Sequence, residues 1–256
     1  MASLQDLNPT GRFTDRTDDY VKYRPSYPQG AIDAIVEGFD VPPSRVAADI
    51  GAGTGISARL LGDRGLSVIA VEPNQGMRDA AAPHPRVAWR DGTAEKTGLA
   101  ERAVDVVLAA QAFHWFRAEE ALREFRRILQ PGGRLALMWN RRRHDDPLTA
   151  GYRAAILEVG GDSVVEQMDF DPAIVARSGH FSPARRVAIP LDQALDLTGL
   201  LGRAMSASYV PKTGPAAAKV TELLRELHAR YADGDGVVTL KYTAEVYLAE
   251  TLGGRS

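Results

Sequence analysis

The sequence predicts an α/β fold: a doubly wound, mostly parallel sheet of seven strands that ends in a terminal antiparallel strand and carries a helical cap. Three observations predict it. From residue 45 to residue 139, short apolar or β-branched runs alternate with segments of helical period. The first run leads directly into a glycine loop, Asp49-Ile50-Gly51-Ala52-Gly53-Thr54-Gly55, and the fourth, residues 104–109, is apolar throughout, as expected of a strand buried on both faces. Strands and helices alternating at this spacing form right-handed βαβ units, whose ligands lie at the carboxyl ends of the strands. The architecture is therefore Rossmann-like.

In chain order, residues 1–28 form a polar, aromatic stretch with Tyr20, Tyr23 and Tyr27 among Arg12, Arg16, Lys22 and Arg24. It reads as an N-terminal arm or lid. Ile32, Ile35, Val36 and Phe39 recur at helical spacing before Pro42-Pro43 stop the helix. Strands follow at 45–50, 67–71, 87–90, 104–109 and 134–139, with helices at 56–61, 75–82 and 119–129 between them. Pro83, Pro85 and Pro131-Gly132-Gly133 mark helix ends. Past Asn140 the pattern loosens. A helix over 149–159, a strand at 187–191, a helix at 216–231 and a strand at 237–248 complete the sheet with a hairpin-like pair. Residues 147–182 are expected to be an inserted helical cap on a single domain spanning 1–256.

Composition narrows the function. With 31 Lys+Arg against 33 Asp+Glu the net charge is -2, so no global positive field gathers nucleic acid or an anionic membrane. The absence of cysteine removes disulfides, thiolate nucleophiles and Cys-ligated zinc. No run approaches the roughly 18 to 20 apolar residues of a membrane span, and residues 1–20 have no apolar leader. The expectation is a cytoplasmic protein, monomer or homodimer, acting on a small molecule.

Glycines in the loop after the first strand let the backbone turn tightly and approach a ligand, while the next helix offers free N–H donors. A nicotinamide dinucleotide wants Gly-x-Gly-x-x-Gly, but Ile56 stands where the third glycine would fall after Gly51 and Gly53. Glu72 ends the second strand, where a carboxylate can accept hydrogen bonds from ribose hydroxyls. Asp91-Gly92-Thr93-Ala94-Glu95 follows the third strand and can form an adenine edge.

These elements, together with Val71-Glu72-Pro73 and Leu129-x-Pro131-Gly132-Gly133, resemble the class I S-adenosylmethionine (SAM)-dependent methyltransferases and occur in the order found in that family. Within the superfamily, Tyr20-x-x-Tyr23-Arg24-Pro25-x-Tyr27-Pro28, Gln111-Ala112-Phe113-His114-Trp115-Phe116 and Trp139-Asn140 resemble the trans-aconitate-methyltransferase-like (methyltransferase type 11) small-molecule branch. The resemblance covers the first 140 residues well and thins beyond, resting there on Ser206-x-Ser208-Tyr209 and the terminal strand pair. It implies that SAM is the cofactor. Gly51, Gly53 and Gly55 would bound its methionine part with Asp49 nearby, and Glu72 would hold the ribose. Pro73 and Met77 would flank the adenine, Gly92, Thr93, Ala94 and Glu95 would form its edge, and Gln111 and Ala112 would close the pocket.

Methyl transfer from a sulfonium is an in-line displacement, so alignment and water exclusion matter more than a dedicated base. His114 can serve as a base near neutrality or as a hydrogen-bonded wall. Tyr20 can face the sulfonium as an aromatic partner, with Tyr23 beside it. Trp115 suits a pocket wall, Asn140 offers a donor and an acceptor, and Arg24 and Arg141 can fork onto a substrate carboxylate. His144-Asp145-Asp146 invites a metal, but adjacent residues in a proline loop converge poorly on one ion, so none is expected. The rival reading is another SAM reaction, cyclisation or aminocarboxypropyl transfer, which releases methylthioadenosine from the same cofactor motifs.

Overall fold

The computed structural model describes residues 23–39, 45–160, 170–207 and 209–253. Its core is one seven-stranded sheet of β1 (Val46–Ile50), β2 (Ser67–Val71), β3 (Val87–Arg90), β4 (Val104–Ala110), β5 (Leu129–Arg142), β6 (Arg185–Leu195) and β7 (Val238–Glu250). The spatial order is β3-β2-β1-β4-β5-β7-β6. Strands β1 to β5 pair in parallel, and β7 runs antiparallel to both β5 and β6. The order of successive strands reverses between β1 and β4, which opens a crevice at the carboxyl ends of these two parallel strands.

Burial explains the elements. Strand β4 is buried along nearly its whole length because helices cover both sheet faces. On one face α1 (Gln29–Val36) and α2 (Ile56–Asp63) bury Ile32, Ile35, Ala58 and Leu61 against Val68, Val106 and Met138. On the other, α4 (Ala118–Ile128), which follows the short α3 (Gln75–Asp79), buries Leu122, Phe125 and Ile128 against Val107, Leu135 and Leu137. Glu119 and Glu120 in the first turn of α4 and Arg126 and Arg127 in the last complement its macrodipole. Pro190 in β6 is tolerated because β6 is the edge strand.

A third apolar cluster forms the cap. Leu148, Tyr152 and Ile156 of α5 (Pro147–Gly160) pack with Leu200 and Ala204 of α7 (Leu197–Met205) and Val220 and Leu224 of α8 (Gly214–Tyr231), over Leu240 and Tyr242 of β7. The short α6 (Ala173–Arg177) instead joins the α4 face through Val175. This cluster joins residues 148–156 to residues 195–242, so it does not coincide with the 147–182 expected for an inserted cap, of which 161–169 lie outside the described residues. The sequence reading did not foresee α7. Its two glycines lower helix propensity, and its start depends on Asp196, whose Oδ1 accepts the Gly199 N–H at 2.6 Å. Strand β5 begins earlier than expected, at Leu129, which aligns with Val104 before a register shift around Pro131-Gly132-Gly133.

Candidate active site

The loop after β1 lies at the crevice. Gly51, Gly53 and Gly55 have φ of 68°, 58° and 76°, left-handed conformations that exclude ordinary side chains. A Cβ on Gly51 would stand 2.8 Å from that of Ala112, so the loop abuts the end of β4, whereas one on Gly53 would meet nothing within 4 Å. Gly53 therefore borders open space. The turn is pinned from β2. Glu72 Oε2 accepts the Gly53 N–H at 3.0 Å and Oε1 accepts the Asn74 N–H at 2.9 Å. Burial raises the pKa of Glu72 above the usual carboxylate value, opposed by these two bonds and by the Arg78 guanidinium. Asp49 is fully buried, and its Oδ2 accepts the Ser57 hydroxyl at 2.7 Å. Burial pushes its pKa up to about 7 against that bond, and the charge of Glu72 adds to the rise.

The next rim of the crevice is built on α3. Asn74 caps this helix by accepting the Met77 N–H at 3.2 Å, and Met77 is buried beside it. Arg78 was not singled out from sequence. Its Nη1 donates to the Glu72 carbonyl and, at 3.2 Å, to Asp91 Oδ1, tying the end of β2 to the end of β3. Gly92 sits where a Cβ would come 2.9 Å from the Thr97 carbonyl, and Thr93 and Lys96 close a tight turn. The side chains of Ala94 and Glu95 point elsewhere. The Ala94 methyl lies in the core, and Glu95 Oε1 accepts the Arg117 N–H at 2.9 Å at the start of α4. Arg78→Ala is expected to raise the KM for SAM about tenfold with kcat nearly unchanged, because the lost contacts support Glu72 and do not touch the reacting methyl. Steady-state kinetics at varied SAM check this.

Beyond β4, Gln111 holds a φ of 56°, a left-handed conformation unusual for a side-chain-bearing residue, and donates its N–H to the Met138 carbonyl at 2.8 Å. Strain of this kind is stored where a loop must present a site. Phe113–Trp115 forms a 3₁₀ turn that places His114 and Trp115 with ring centroids 4.9 Å apart. The Trp139 indole N–H donates to His114 Nδ1 at 3.3 Å, so the neutral ring carries its proton on Nε2. Burial, with the positive charges of Arg141 and Arg24, pushes the pKa of His114 down to about 4. At neutral pH His114 is an uncharged donor.

Residues 23–26 of the arm contact the cap and the end of β5. Gln193 donates to the Tyr23 carbonyl at 3.0 Å, and the Tyr23 ring lies against Gly202, where a Cβ would come within 2.3 Å of it. Arg24 Nη2 reaches the Ser206 carbonyl at 3.5 Å, and Asn140 Nδ2 donates to the Ser26 carbonyl at 3.1 Å. Arg141 lies 3.8 Å from Glu245 and over the Trp139 ring. Tyr20 lies outside the described residues. Asp145 pairs with Arg143, and Asp146 caps α5 through the N–H and hydroxyl of Thr149. No group of three or more His, Cys, Asp or Glu suited to a metal occurs among the described residues, and none of their helices is long and apolar enough to cross a membrane.

A parallel sheet with a pinned left-handed glycine turn at its β1/β4 crevice and a carboxylate at the end of β2 defines the nucleoside-binding, Rossmann-like class. Comparison with known proteins narrows it. Residues 48–137 match the family model described as a methyltransferase domain. Over 133 residues the chain is 40% identical to an uncharacterized methyltransferase-like protein of Schizosaccharomyces pombe, covering 50% of this chain and 52% of that one. The matches span about half the length of the curated relatives. Among solved structures, a putative type II methyltransferase from Anaeromyxobacter dehalogenans aligns at 26% identity with a TM-score of 0.60, covering 89% of this chain and 97% of that one. A phosphoethanolamine N-methyltransferase of Haemonchus contortus, holding S-adenosylhomocysteine, shares the fold at 16% identity and a TM-score of 0.55, over 99% of this chain and 61% of that one. Residues 48–137 thus match a methyltransferase domain, for which SAM is the expected cofactor.

The residues present fit that cofactor. Space is open beside Gly53, the buried Asp49 Oδ1 and Thr54 Oγ1 have no hydrogen-bond partner among the described residues, and each Glu72 oxygen, holding one N–H, keeps acceptor capacity for a ribose hydroxyl.

Proposed function

We propose that this chain transfers the methyl group of SAM to an oxygen or nitrogen of a small molecule, within the trans-aconitate-methyltransferase-like branch. The observation that carries the reading is the glycine turn, open beside Gly53, pinned by the Glu72 carboxylate and abutting Ala112 in the segment that carries His114. Bound there, SAM supplies an electrophilic methyl carbon on a sulfonium. Glu72 would fix the ribose, Asp49 would offer negative charge to the cationic amino acid portion, and Met77 would pack beside the adenine. His114 donates from Nε2 to the acceptor and so orients it without removing a proton. Trp115 and Trp139 exclude water, Arg24 and Arg141 supply positive charge, and the arm over residues 1–28, Tyr20 and Tyr23 included, covers the acceptor. Asn140 holds that arm through Ser26. The protein acts in the cytoplasm as a monomer or homodimer, on no nucleic acid.

A neutral donor predicts a definite pH profile. Because the His114 pKa lies near 4, kcat is expected to show no histidine limb between about pH 5.5 and 8. His114→Ala is expected to lower kcat about 10- to 100-fold, and His114→Asn, which keeps an N–H donor, to recover part of it. A limb near 6.5 that disappears in His114→Ala would make His114 a base instead.

The reading as a whole is tested by incubating the protein and SAM with a fractionated small-molecule extract and identifying the adenosyl product by mass spectrometry. S-adenosylhomocysteine formed together with a mass gain of one methylene on a small molecule is the expected result. Methylthioadenosine as the product would overturn methyl transfer in favour of cyclisation or aminocarboxypropyl transfer.

A further inference from the structure

Under the cap lies a polar cluster that cofactor binding does not use. Arg203, in the last turn of α7, is 4% exposed. Its Nη1 donates to the Ser206 hydroxyl at 3.3 Å, and among the described residues its Nε has no hydrogen-bond partner and no carboxylate forms a salt bridge with it. Burial opposes its charge, but the neighbouring Tyr242 and Tyr152 phenols hold its pKa above the ordinary value, while the guanidinium of Arg142 works against them. That second guanidinium lies 5.2 Å from the centroid of the Tyr152 ring. The Tyr152 hydroxyl, on a residue with no exposed surface, also has no hydrogen-bond partner among the described residues, while Tyr242 gives its proton to Gln193 Oε1 at 3.2 Å. Two unused donors, Arg203 Nε and the Tyr152 hydroxyl, are buried under the cap near two guanidiniums.

Burying a guanidinium without a carboxylate partner is costly, and a buried donor left unmade adds to that cost. One oxygen anion satisfies both, because a guanidinium forks onto carboxylate or phosphate and a phenol donates to either. The cluster also stands where an acceptor molecule would extend. Arg142 ends β5 two residues beyond Asn140, at the carboxyl edge. The arm reaches the same helix end through Arg24 on the Ser206 carbonyl and Tyr23 against Gly202.

We propose that Arg203 and Tyr152 form a buried oxyanion site beneath the cap, which takes a carboxylate or phosphate group of the methyl acceptor. The proposal rests on the methyl-transfer reading for the identity of that acceptor, but not for the site itself. Burial opposes ionisation of the neighbouring Tyr242 phenol, yet the charges of Arg203 and Arg142 and their hydrogen bonds to it outweigh burial and hold its pKa below the ordinary value, which fits a site that favours negative charge.

The test is thermal unfolding of the full chain with millimolar sodium phosphate or sodium succinate, against sodium chloride at equal ionic strength, for the wild type, Arg203→Met and Tyr152→Phe. The same three proteins are titrated with SAM. The wild-type Tm is expected to rise by about 3 °C with at least one oxyanion. The rise should vanish in Arg203→Met and shrink in Tyr152→Phe, with SAM affinity within about twofold of wild type. No oxyanion-specific rise in the wild type, or an equal rise in Arg203→Met, overturns the site. If Arg203→Met does not fold, Tyr152→Phe decides, since it removes only a hydroxyl, and an undiminished rise in that variant overturns the site. A wild type that responds to oxyanions but does not bind SAM would bring down the proposed function and leave this site standing.

Discussion

Glu72→Ala is expected to weaken SAM binding about 100- to 1000-fold while leaving a folded protein. The carboxylate accepts the Gly53 and Asn74 N–H groups, and each hydrogen bond to a charged group contributes on the order of 1.5–3 kcal/mol. Removing it frees the glycine turn from β2 and deletes the ribose acceptors together. Glu72→Gln keeps one carbonyl oxygen and should fall between the two. Calorimetric titration of the three proteins measures the order, and circular dichroism checks the fold. Wild-type affinity in Glu72→Ala would remove Glu72 from the cofactor site.

The second large effect comes from Asp49. Its folded pKa, about 7, lies above the ordinary value of 3.8, so the folded state binds more protons than the unfolded chain between those limits. Stability therefore falls as pH rises from about 4 to 7 and then levels off, and by pH 8 the buried carboxylate has cost on the order of a few kcal/mol. Asp49→Asn removes that loss. The apo variant is expected to be more stable than wild type at pH 8 and to lose this part of the pH slope in denaturant titrations. Binding should move the other way. SAM carries a sulfonium and an ammonium, which favour the ionised carboxylate, so wild-type affinity should rise up to tenfold per pH unit below about 7, and the asparagine variant should bind weakly at every pH. Affinity independent of pH in the wild type would contradict the placement of Asp49 beside the cofactor's charges.

The elements legible in the sequence are those whose cause is local. Strand β4 is written as an unbroken apolar run and α4 as an amphipathic stripe, and both fall where their patterns place them. The glycine turn is legible for the same reason: left-handed backbone at three alternate positions tolerates little else. Helix α7 is not, because its glycines speak against a helix while Gly202 serves a long-range purpose, the close approach of the Tyr23 ring. The site shows the same division. Glu72 stands out as an acid at a strand end. The roles of Ala94 and Glu95 depend on how the turn at Thr93 and Lys96 folds back, and it sends one methyl into the core and one carboxylate to α4. Arg78 and Arg203 look like any solvated arginine until tertiary structure surrounds them. The His114 tautomer is set by an indole 25 residues further along the chain.

The central claim, that the crevice at β1 and β4 holds SAM through the glycine turn and Glu72, is met most directly by calorimetric titration of the wild type and Glu72→Ala with SAM, using NADH as a control ligand. The account predicts one site of roughly micromolar affinity in the wild type, little or no heat from the variant, and none from NADH. Absence of SAM binding in the wild type, equal binding by both proteins, or binding of NADH in place of SAM would contradict it.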